Sequence, residues 1–291
     1  MSWTVAAVTV TVMGASSSDP EEVLTRAASL PDFTLAYGSL PDQVADVRLP
    51  LQWDRSLPLV IAIHGGFWKS AYDRVHLRPA ADALASAGYP VASLEYRRVG
   101  AGGGWPATFD DVAAGVAAVP ALVDAALVDR GLAAIGDRGV VLIGHSAGGQ
   151  LVLWAGRGVA GVRGIVALAP VADMARGFEL ALGGGAVARV LGGAPSEVPE
   201  RYAELDPAVN LPLGKPTIVI HGRLDQAVPW EIGRDWVAAS AAAGDEATLI
   251  DLADIEHFGL IDPLSSAWPL ILRGLASVCD AGEDSGRATS K

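Results

Sequence analysis

The sequence has only one cysteine, Cys279, and few basic residues. A single cysteine cannot form an internal disulfide, and no cysteine pair or His-x-x-x-His spacing suggests a metal cage. Lys and Arg number 21 against 33 Asp and Glu, which gives a formal net charge of -12. This surface field repels phosphate backbones and anionic lipid. We therefore expect no metal or other cofactor, no nucleic acid partner and no membrane partner.

The N-terminal region lacks a hydrophobic run long enough to span a bilayer. Residues 3–13, WTVAAVTVTVM, are apolar, but about 11 residues are too few to cross the hydrocarbon core. No Lys or Arg precedes this run, as one would in a secretory signal. The sequence therefore predicts a cytoplasmic protein.

Hydrophobic residues, in contrast, are abundant, at 51% of the 291 residues. A chain of this size can bury one large core, and an α/β domain of this length is commonly a single unit. From about residue 44, apolar runs alternate with longer Ala-rich segments, which is typical of strands joined by crossover helices. Nearly continuous apolar strands predict a largely parallel sheet with helices on both faces. The predicted strands are VADVRLP, LPLVIAIHG, YPVASLEYR, GVVLIGHS, VRGIVALAP, KPTIVIHG and EATLIDLAD, and the predicted helices include RPAADALASAG and DDVAAGVAAVPALVDAAL.

Three segments fall outside this alternation and suggest the domain limits. Residues 1–36 form an N-terminal extension, with a short helix expected over 18–29 because a cap residue, a proline and two acids come together there. Residues 174–212 interrupt the domain at 37–280 with two glycine clusters, and a long insertion of this kind is commonly a lid or pocket wall. The tail at 281–291 is polar and aperiodic, so we expect it to be disordered.

The segment GVVLIGHSAGGQLVLWAG, residues 139–156, places a serine between an apolar run and a helical pattern. Its GHSAG core fits G-x-S-x-G, in which a tight strand-to-helix turn needs small neighbours and forces the serine outward. The pentapeptide alone is weak evidence because glycine is common in this chain. Its place after a strand and before a helix makes Ser146 a candidate nucleophile.

A serine hydroxyl is a poor nucleophile until a base takes its proton, so the hypothesis requires a histidine and an acid that orients it. Asp225 follows the strand KPTIVIHG, and His257 follows the strand EATLIDLAD. Both are at strand exits, where open α/β sheets place their sites, and the order serine, acid, histidine is that of G-x-S-x-G hydrolases. Taken alone, Asp225 suits a turn and His257 an exposed loop. Three further acids near His257 are alternatives to Asp225: Asp251, Asp254 and Glu256.

The strand LVIAI ends in a glycine pair that could stabilise an oxyanion. At Gly65 and Gly66, missing side chains allow backbone N–H groups to face a reacting carbonyl, and the N–H of Ala147 would be a further donor. A Gly-Gly turn without a ligand is the alternative. The next two residues, Phe67 and Trp68, are candidates for substrate binding, although an aromatic side chain beside a sheet is as often part of the core.

Together these segments resemble the esterase and arylformamidase branch of the α/β-hydrolase superfamily. The residues that carry the resemblance are YGSLPDQVADVRLP at 37–50, HGGFW at 64–68, GHSAGG at 144–149, and Asp225 and His257. The resemblance covers about residues 37–265 and implies the α/β-hydrolase fold. His-Gly-Gly-x-Trp is typical of kynurenine formamidases, whereas many carboxylesterases related to hormone-sensitive lipase have a third glycine where this chain has Phe67.

The resemblance also implies a role for each candidate residue. Ser146 would be the nucleophile, His257 the base, Asp225 its orienting acid, and Gly65, Gly66 and Ala147 the oxyanion donors. Apart from the resemblance, we expect His64 and His145 to support the oxyanion loop and the serine turn through hydrogen bonds rather than to act as the base.

The function predicted is a cofactor-independent serine hydrolase of small N-formyl aryl amides or esters, similar to kynurenine formamidase. A general carboxylesterase of small acyl esters is the first alternative. A non-catalytic protein that uses the fold as a ligand-binding pocket is the second. A small-molecule substrate is expected in each case. The sequence leaves open whether the protein forms a homodimer.

Overall fold

The computed structural model describes residues 8–10, 20–54 and 56–288. Within these residues the strands are β1 (Val8–Val10), β2 (Phe33–Ala36), β3 (Val44–Arg48), β4 (Leu59–Ile63), β5 (Val91–Leu94), β6 (Val140–His145), β7 (Val162–Leu168), β8 (Thr217–Gly222) and β9 (Ala247–Leu252). They form one sheet in the order β1-β9-β8-β7-β6-β4-β5-β3-β2. Only the pairs β2–β3 and β3–β5 are antiparallel. The expectation of a largely parallel sheet is confirmed.

All seven strands predicted from the sequence are present, and two more were missed. Strand β1 is a three-residue piece of the apolar run at 3–13 and pairs with β9; the rest of that run lies outside the described residues. Strand β2 is an edge strand whose residues alternate between half-buried and exposed. Both are short and at opposite edges of the sheet, so neither has the continuous apolar pattern of a central strand.

Helices cover both faces of the sheet. They are α1 (Arg78–Ser86), α2 (Ala107–Asp129), α3 (Ala147–Gly158), α4 (Met174–Glu179), α5 (Leu182–Leu191), α6 (Pro199–Leu205), α7 (Trp230–Ala242) and α8 (Trp268–Ala288). Short 3₁₀ helices occupy Pro20–Thr25, Arg74–Leu77 and Phe258–Leu260. Alternate residues of β4 show the two layers: Leu59 and Ile61 pack in the core with α2 and α3, whereas Val60 packs in the core with α1 and α8. Such double coverage explains why the central strands are continuously apolar.

Helix α2 is long and apolar enough to cross a membrane by length and composition alone. One of its faces nevertheless packs in the core beside the sheet, where Phe109, Val112 and Val116 are buried. The hydrophobicity of the helix is thus used, at least on this face, for packing within the domain.

The three segments outside the alternation differ in outcome. The insertion at 174–212 contains α4, α5 and α6, and side chains such as Val187 and Val190 are fully buried. The short N-terminal helix is the 3₁₀ helix Pro20–Thr25, so it is shorter and tighter than the sequence suggests. Residues 281–288, which the sequence predicts to be disordered, continue α8 in the structure, and residues 289–291 lie outside the described residues. Extending a helix that is already formed adds one hydrogen bond per residue fixed, so a polar sequence without proline can follow it.

Candidate active site

Ser146 lies in the turn between β6 and α3, with φ 57° and ψ -117°. A positive φ is strained for a residue with a side chain, and such strain is typical of functional turns. The glycines two residues before and two residues after Ser146 are required because the turn leaves no space for a side chain at either position. A Cβ on Gly144 would lie 2.2 Å from the carbonyl oxygen of Gly148, and one on Gly148 would lie 2.1 Å from that of Ile63. The glycines of the G-x-S-x-G pattern therefore permit the turn that presents Ser146.

His257 and Asp225 meet at the carboxyl edge of the sheet, after β9 and β8. The Nδ1 atom of His257 is 2.6 Å from Oδ2 of Asp225, and both side chains are buried. The second oxygen of Asp225, Oδ1, accepts hydrogen bonds from the N–H groups of Ala227 and Val228, each at 2.8 Å. These two bonds fix the carboxylate so that Oδ2 points at the imidazole.

The three alternative acids have other surroundings. Asp251 accepts hydrogen bonds from the guanidinium of Arg223, including one of 2.8 Å from Nε to Oδ1. Glu256 accepts a hydrogen bond from the N–H of Phe258, and Asp254 is exposed. The structure thus brings Asp225 to the histidine.

Asp225 is ionised although its side chain is buried. Burial by itself would raise the pKa of this carboxyl. Hydrogen bonds from His221 and His257, the positive charge that His257 can carry and the N–H of Val228 hold the pKa well below its ordinary value instead. An ionised acid therefore faces Nδ1 of His257 at neutral pH.

His145 connects the serine turn to the loop that carries His257. Its Nε2 is 3.0 Å from the carbonyl oxygen of His257, and the two rings lie 4.4 Å apart. Burial, and next the proximity of His257, lower the pKa of His145 well below its usual value. A neutral His145 can thus donate Nε2–H to the backbone of His257. The sequence suggested support of the turn, and the structure adds this contact between the two loops.

A small cavity of about 50 Å³ opens beside Ser146 and His257. Their side chains share it with residues from four other parts of the chain: Leu24, Gly66, Phe67, Tyr72, His76, His145, Ala227 and Phe258. Burial, and next the neighbouring His64, lower the pKa of His76 to about 3, so this side chain is neutral. The cavity wall is therefore mostly apolar or uncharged.

Trp68 does not line this cavity, and its prediction as a substrate-binding residue is corrected. Phe67 and Trp68 both have positive φ values, of 51° and 55°. The chain reverses there, and the carbonyl of Trp68 accepts a hydrogen bond from the N–H of Val99. Phe67 consequently lies on the cavity wall, while Trp68 is fully buried in the core.

The glycine loop after β4 lies directly against the serine turn. A Cβ on Gly65 would lie 2.7 Å from the carbonyl oxygen of His145 and 3.0 Å from Cβ of Ser146. Gly66, with φ 100°, lines the cavity. Ala147 is the first residue of α3, where backbone N–H groups have no acceptor within the helix. Backbone donors from two elements can therefore converge on a group bonded to Ser146.

A buried His64–Glu95 pair holds this glycine loop, and Glu95 is not among the residues predicted from the sequence. The Nδ1 atom of His64 is 2.8 Å from the carbonyl oxygen of Gly65, and its Nε2 is 2.9 Å from Oε1 of Glu95. The hydroxyl of Tyr96 donates to the carbonyl of His64 at 2.9 Å, and the two rings stack. An acidic residue at the exit of β5, beside the exit of β4, is the signal that could have revealed the pair.

Glu95 is expected to stabilise the protein above acidic pH. Burial opposes its charge, but hydrogen bonding and attraction to His64, the N–H of Arg74 and the charge of Arg98 bring its pKa down from 4.5 to about 2. A lowered pKa in the folded state contributes stability above pH 4.5, and this contribution is lost as the pH falls toward 2. For this buried group it amounts to roughly 3 kcal/mol.

Glu95→Gln should therefore unfold at lower urea concentration than the wild type at pH 7, and the difference should shrink between pH 4.5 and 2. Equilibrium urea unfolding at pH 7 and pH 3 measures both effects. Glu179→Gln is the control, because Glu179 forms an exposed pair with Arg176 and should change stability little. An equal loss for Glu95→Gln at both pH values would contradict the electrostatic account.

A sequence model of the BD-FAE family matches residues 45–238, more than half of the chain. The chain belongs to the BD-FAE family. The part that matches the BD-FAE model includes the glycine loop, Ser146 and Asp225, and it ends before His257. No curated protein matches the chain in sequence.

Solved structures similar to this BD-FAE protein include two described as esterases and one described as a bifunctional GH43-CE protein. Esterase B of Lactobacillus rhamnosis, with a tributyrin phosphonate inhibitor, has a TM-score of 0.72 at 19% identity over 92% of each chain. A thermophilic esterase of Thermogutta terrifontis, with propionate bound, has a TM-score of 0.64 at 18% identity over 85% of this chain and 92% of that one. The bifunctional GH43-CE protein of Bacteroides eggerthii has a TM-score of 0.69 at 20% identity; the match covers 85% of this chain but only 37% of that protein.

These similarities confirm the α/β-hydrolase fold. They support the superfamily that the sequence resemblance indicated, and they do not support its arylformamidase branch.

Proposed function

We propose that this BD-FAE protein is a serine hydrolase that cleaves small carboxylic esters through an acyl-enzyme. The observation that carries the proposal is the 2.6 Å contact between His257 and Asp225 at the cavity that Ser146 lines. This arrangement supports Ser146 as the nucleophile, His257 as the base and Asp225 as the acid that orients the base.

In the first half-reaction, Oγ of Ser146 attacks the ester carbonyl while Nε2 of His257 accepts the serine proton. Asp225 holds the tautomer in which Nδ1 of His257 carries its proton, and its negative charge stabilises the imidazolium that forms. The carbonyl oxygen becomes an oxyanion and accepts hydrogen bonds from N–H groups of Gly65, Gly66 and Ala147. His257 then gives its proton to the departing alcohol, which leaves the acyl group on Ser146.

The second half-reaction repeats these steps with water. His257 removes a proton from the water, which attacks the acyl carbonyl, and the oxyanion is stabilised by the same donors. Collapse of this intermediate returns the proton to Oγ of Ser146 and releases the acid. Every proton thus passes through His257, and no step uses a metal.

Similar solved structures support the hypothesis that the protein is an esterase. The Lactobacillus rhamnosis protein was solved with a phosphonate analogue of tributyrin, and the Thermogutta terrifontis esterase with propionate and, separately, phosphonylated by sarin. An arylformamidase is the second candidate, because the HGGFW loop is typical of kynurenine formamidases and a formyl group is the smallest acyl group. The chemistry would be the same, with an amide in place of the ester.

Steady-state rates on p-nitrophenyl acetate, p-nitrophenyl butyrate and N-formylkynurenine separate these readings. We expect kcat/KM to be at least about tenfold higher for an ester than for the formamide, which is roughly 1.4 kcal/mol in transition-state binding. A higher value for the formamide would favour the arylformamidase hypothesis.

A fluorophosphonate probe should label Ser146 in the folded protein. Folded protein that neither reacts with the probe nor hydrolyses any of these substrates would favour the ligand-binding alternative.

A further inference from the structure

The N-terminal extension reaches the candidate active site although it lies before the BD-FAE match. Its 3₁₀ helix, Pro20–Thr25, places Leu24 on the wall of the cavity that Ser146 and His257 line. We call residues 20–26 the N-terminal strap. Nothing in the sequence of the strap resembles a catalytic motif, so its position is a finding of the structure.

Residues on either side of Leu24 hold the strap in place. Val23 is 1% exposed and packs in the core that also contains Leu260 and Ile261. On the other side, the guanidinium of Arg26 forms an ion pair with the carboxylate of Asp262. These contacts fasten the strap to the segment that directly follows His257. Leu24 is therefore held over the cavity.

The size of the cavity limits what can be attached to Ser146. A space of about 10 to 15 Å³, measured in the same way, holds one water molecule. A cavity of about 50 Å³ therefore accepts roughly four water-sized groups. Ser146 itself is 1% exposed. Since the acyl group stays bonded to Oγ of Ser146 until water releases it, that group has to fit within this space.

The wall also favours an uncharged acyl group. Leu24, Phe67, Ala227 and Phe258 supply apolar surface, and the neutral His76 supplies no charge. Burying a charged acyl chain against such a wall would be unfavourable, whereas each methylene that fits gains from burial.

We propose that Leu24 determines acyl-chain length by closing the far side of this cavity, so that the protein acts on esters of short, uncharged acids of about two to four carbons. This inference rests on the proposed function, because it assumes that an acyl group is carried by Ser146. The N-terminal strap is thus part of the substrate pocket. Shortening Leu24 lengthens the pocket, and enlarging it fills the pocket.

The test is a series of p-nitrophenyl esters from acetate to octanoate with wild type, Leu24→Ala and Leu24→Trp. We expect wild-type kcat/KM to fall beyond butyrate. In Leu24→Ala the ratio of kcat/KM for hexanoate to that for acetate should rise about tenfold, because two more methylenes can be buried. In Leu24→Trp the ratio for butyrate to acetate should fall by about the same factor. Arg26→Ala, which releases the strap without touching the cavity wall, should shift the profile in the direction of Leu24→Ala.

Leu30→Ala is the matched control, because Leu30 belongs to the same N-terminal region and is 76% exposed. Its length profile should equal that of the wild type. If the wild type hydrolyses acetate and both Leu24 variants keep its length profile, the inference is overturned and the proposed function stands. A proportional loss for every ester would also overturn it, since Leu24 would then act only in packing. If the wild type hydrolyses no ester and the fluorophosphonate does not label Ser146, the proposed function itself fails.

Discussion

Ser146→Ala is expected to lower kcat by about 10⁶-fold, while a rate roughly 10³-fold above that of water survives through the oxyanion donors and substrate binding. The substitution removes the attacking oxygen and keeps Cβ, so the tight turn at φ 57° should still form. Initial rates on p-nitrophenyl acetate give the effect on kcat. Thermal unfolding followed by circular dichroism should show a midpoint close to that of the wild type.

Ser93→Ala provides a control for the loss of a buried hydroxyl. Ser93 is 2% exposed on β5, and within the described residues its Oγ has no hydrogen-bond partner. Its removal should leave kcat within about threefold of the wild type, which is roughly 0.6 kcal/mol in the barrier. Turnover by Ser146→Ala at a rate near that of the wild type would show that the nucleophile is another residue.

The sequence was sufficient for those parts of the fold and site that depend on local pattern. The apolar run of β6 and the small residues around Ser146 together predict a strand, a tight turn and a helix, because the turn leaves no space at Gly144 or Gly148. Asp225 and His257 were found from their places after β8 and β9. Since parallel strands end at one edge of the sheet, strand order alone brings such residues near one another.

Features that depend on contacts between distant segments were not available from local pattern. The apolar character of Trp68 is compatible with a pocket or a core, and only the reversed backbone at Phe67 and Trp68 decides between them. Glu95 supports the glycine loop across two strands, and Leu24 reaches the cavity from the other end of the sequence. The place of Glu95 at a strand exit was a signal in the sequence, whereas the places of Trp68 and Leu24 depend on where the chain folds back, which local pattern does not show.

Asp225→Asn is expected to lower kcat by about 10⁴-fold, and the hydrogen bonds of Asp225 explain why an isosteric change is so damaging. Oδ1 accepts from the N–H groups of Ala227 and Val228, so the amide oxygen of asparagine must take that position. The amide NH₂ then occupies the place of Oδ2 and donates to Nδ1 of His257. This places the imidazole proton on Nε2, where the base must be unprotonated to accept the serine proton. The charge that stabilises the imidazolium is lost as well.

The matched control for this change is Asp251→Asn, which alters a second buried carboxylate, near the end of β9 at the same edge of the sheet. Asp251 pairs with Arg223 and does not contact His257, so its substitution should leave kcat within about threefold.

The lowered pKa of Asp225 means that its carboxylate stabilises the folded state above pH 4, and Asp225→Asn should be less stable at pH 7 for that reason. Rates are therefore compared per folded molecule, with the folded fraction measured by circular dichroism. An active Asp225→Asn beside an inactive Asp254→Asn or Asp251→Asn would move the orienting role to that acid, because only the carboxylate that holds Nδ1–H can select the reactive tautomer.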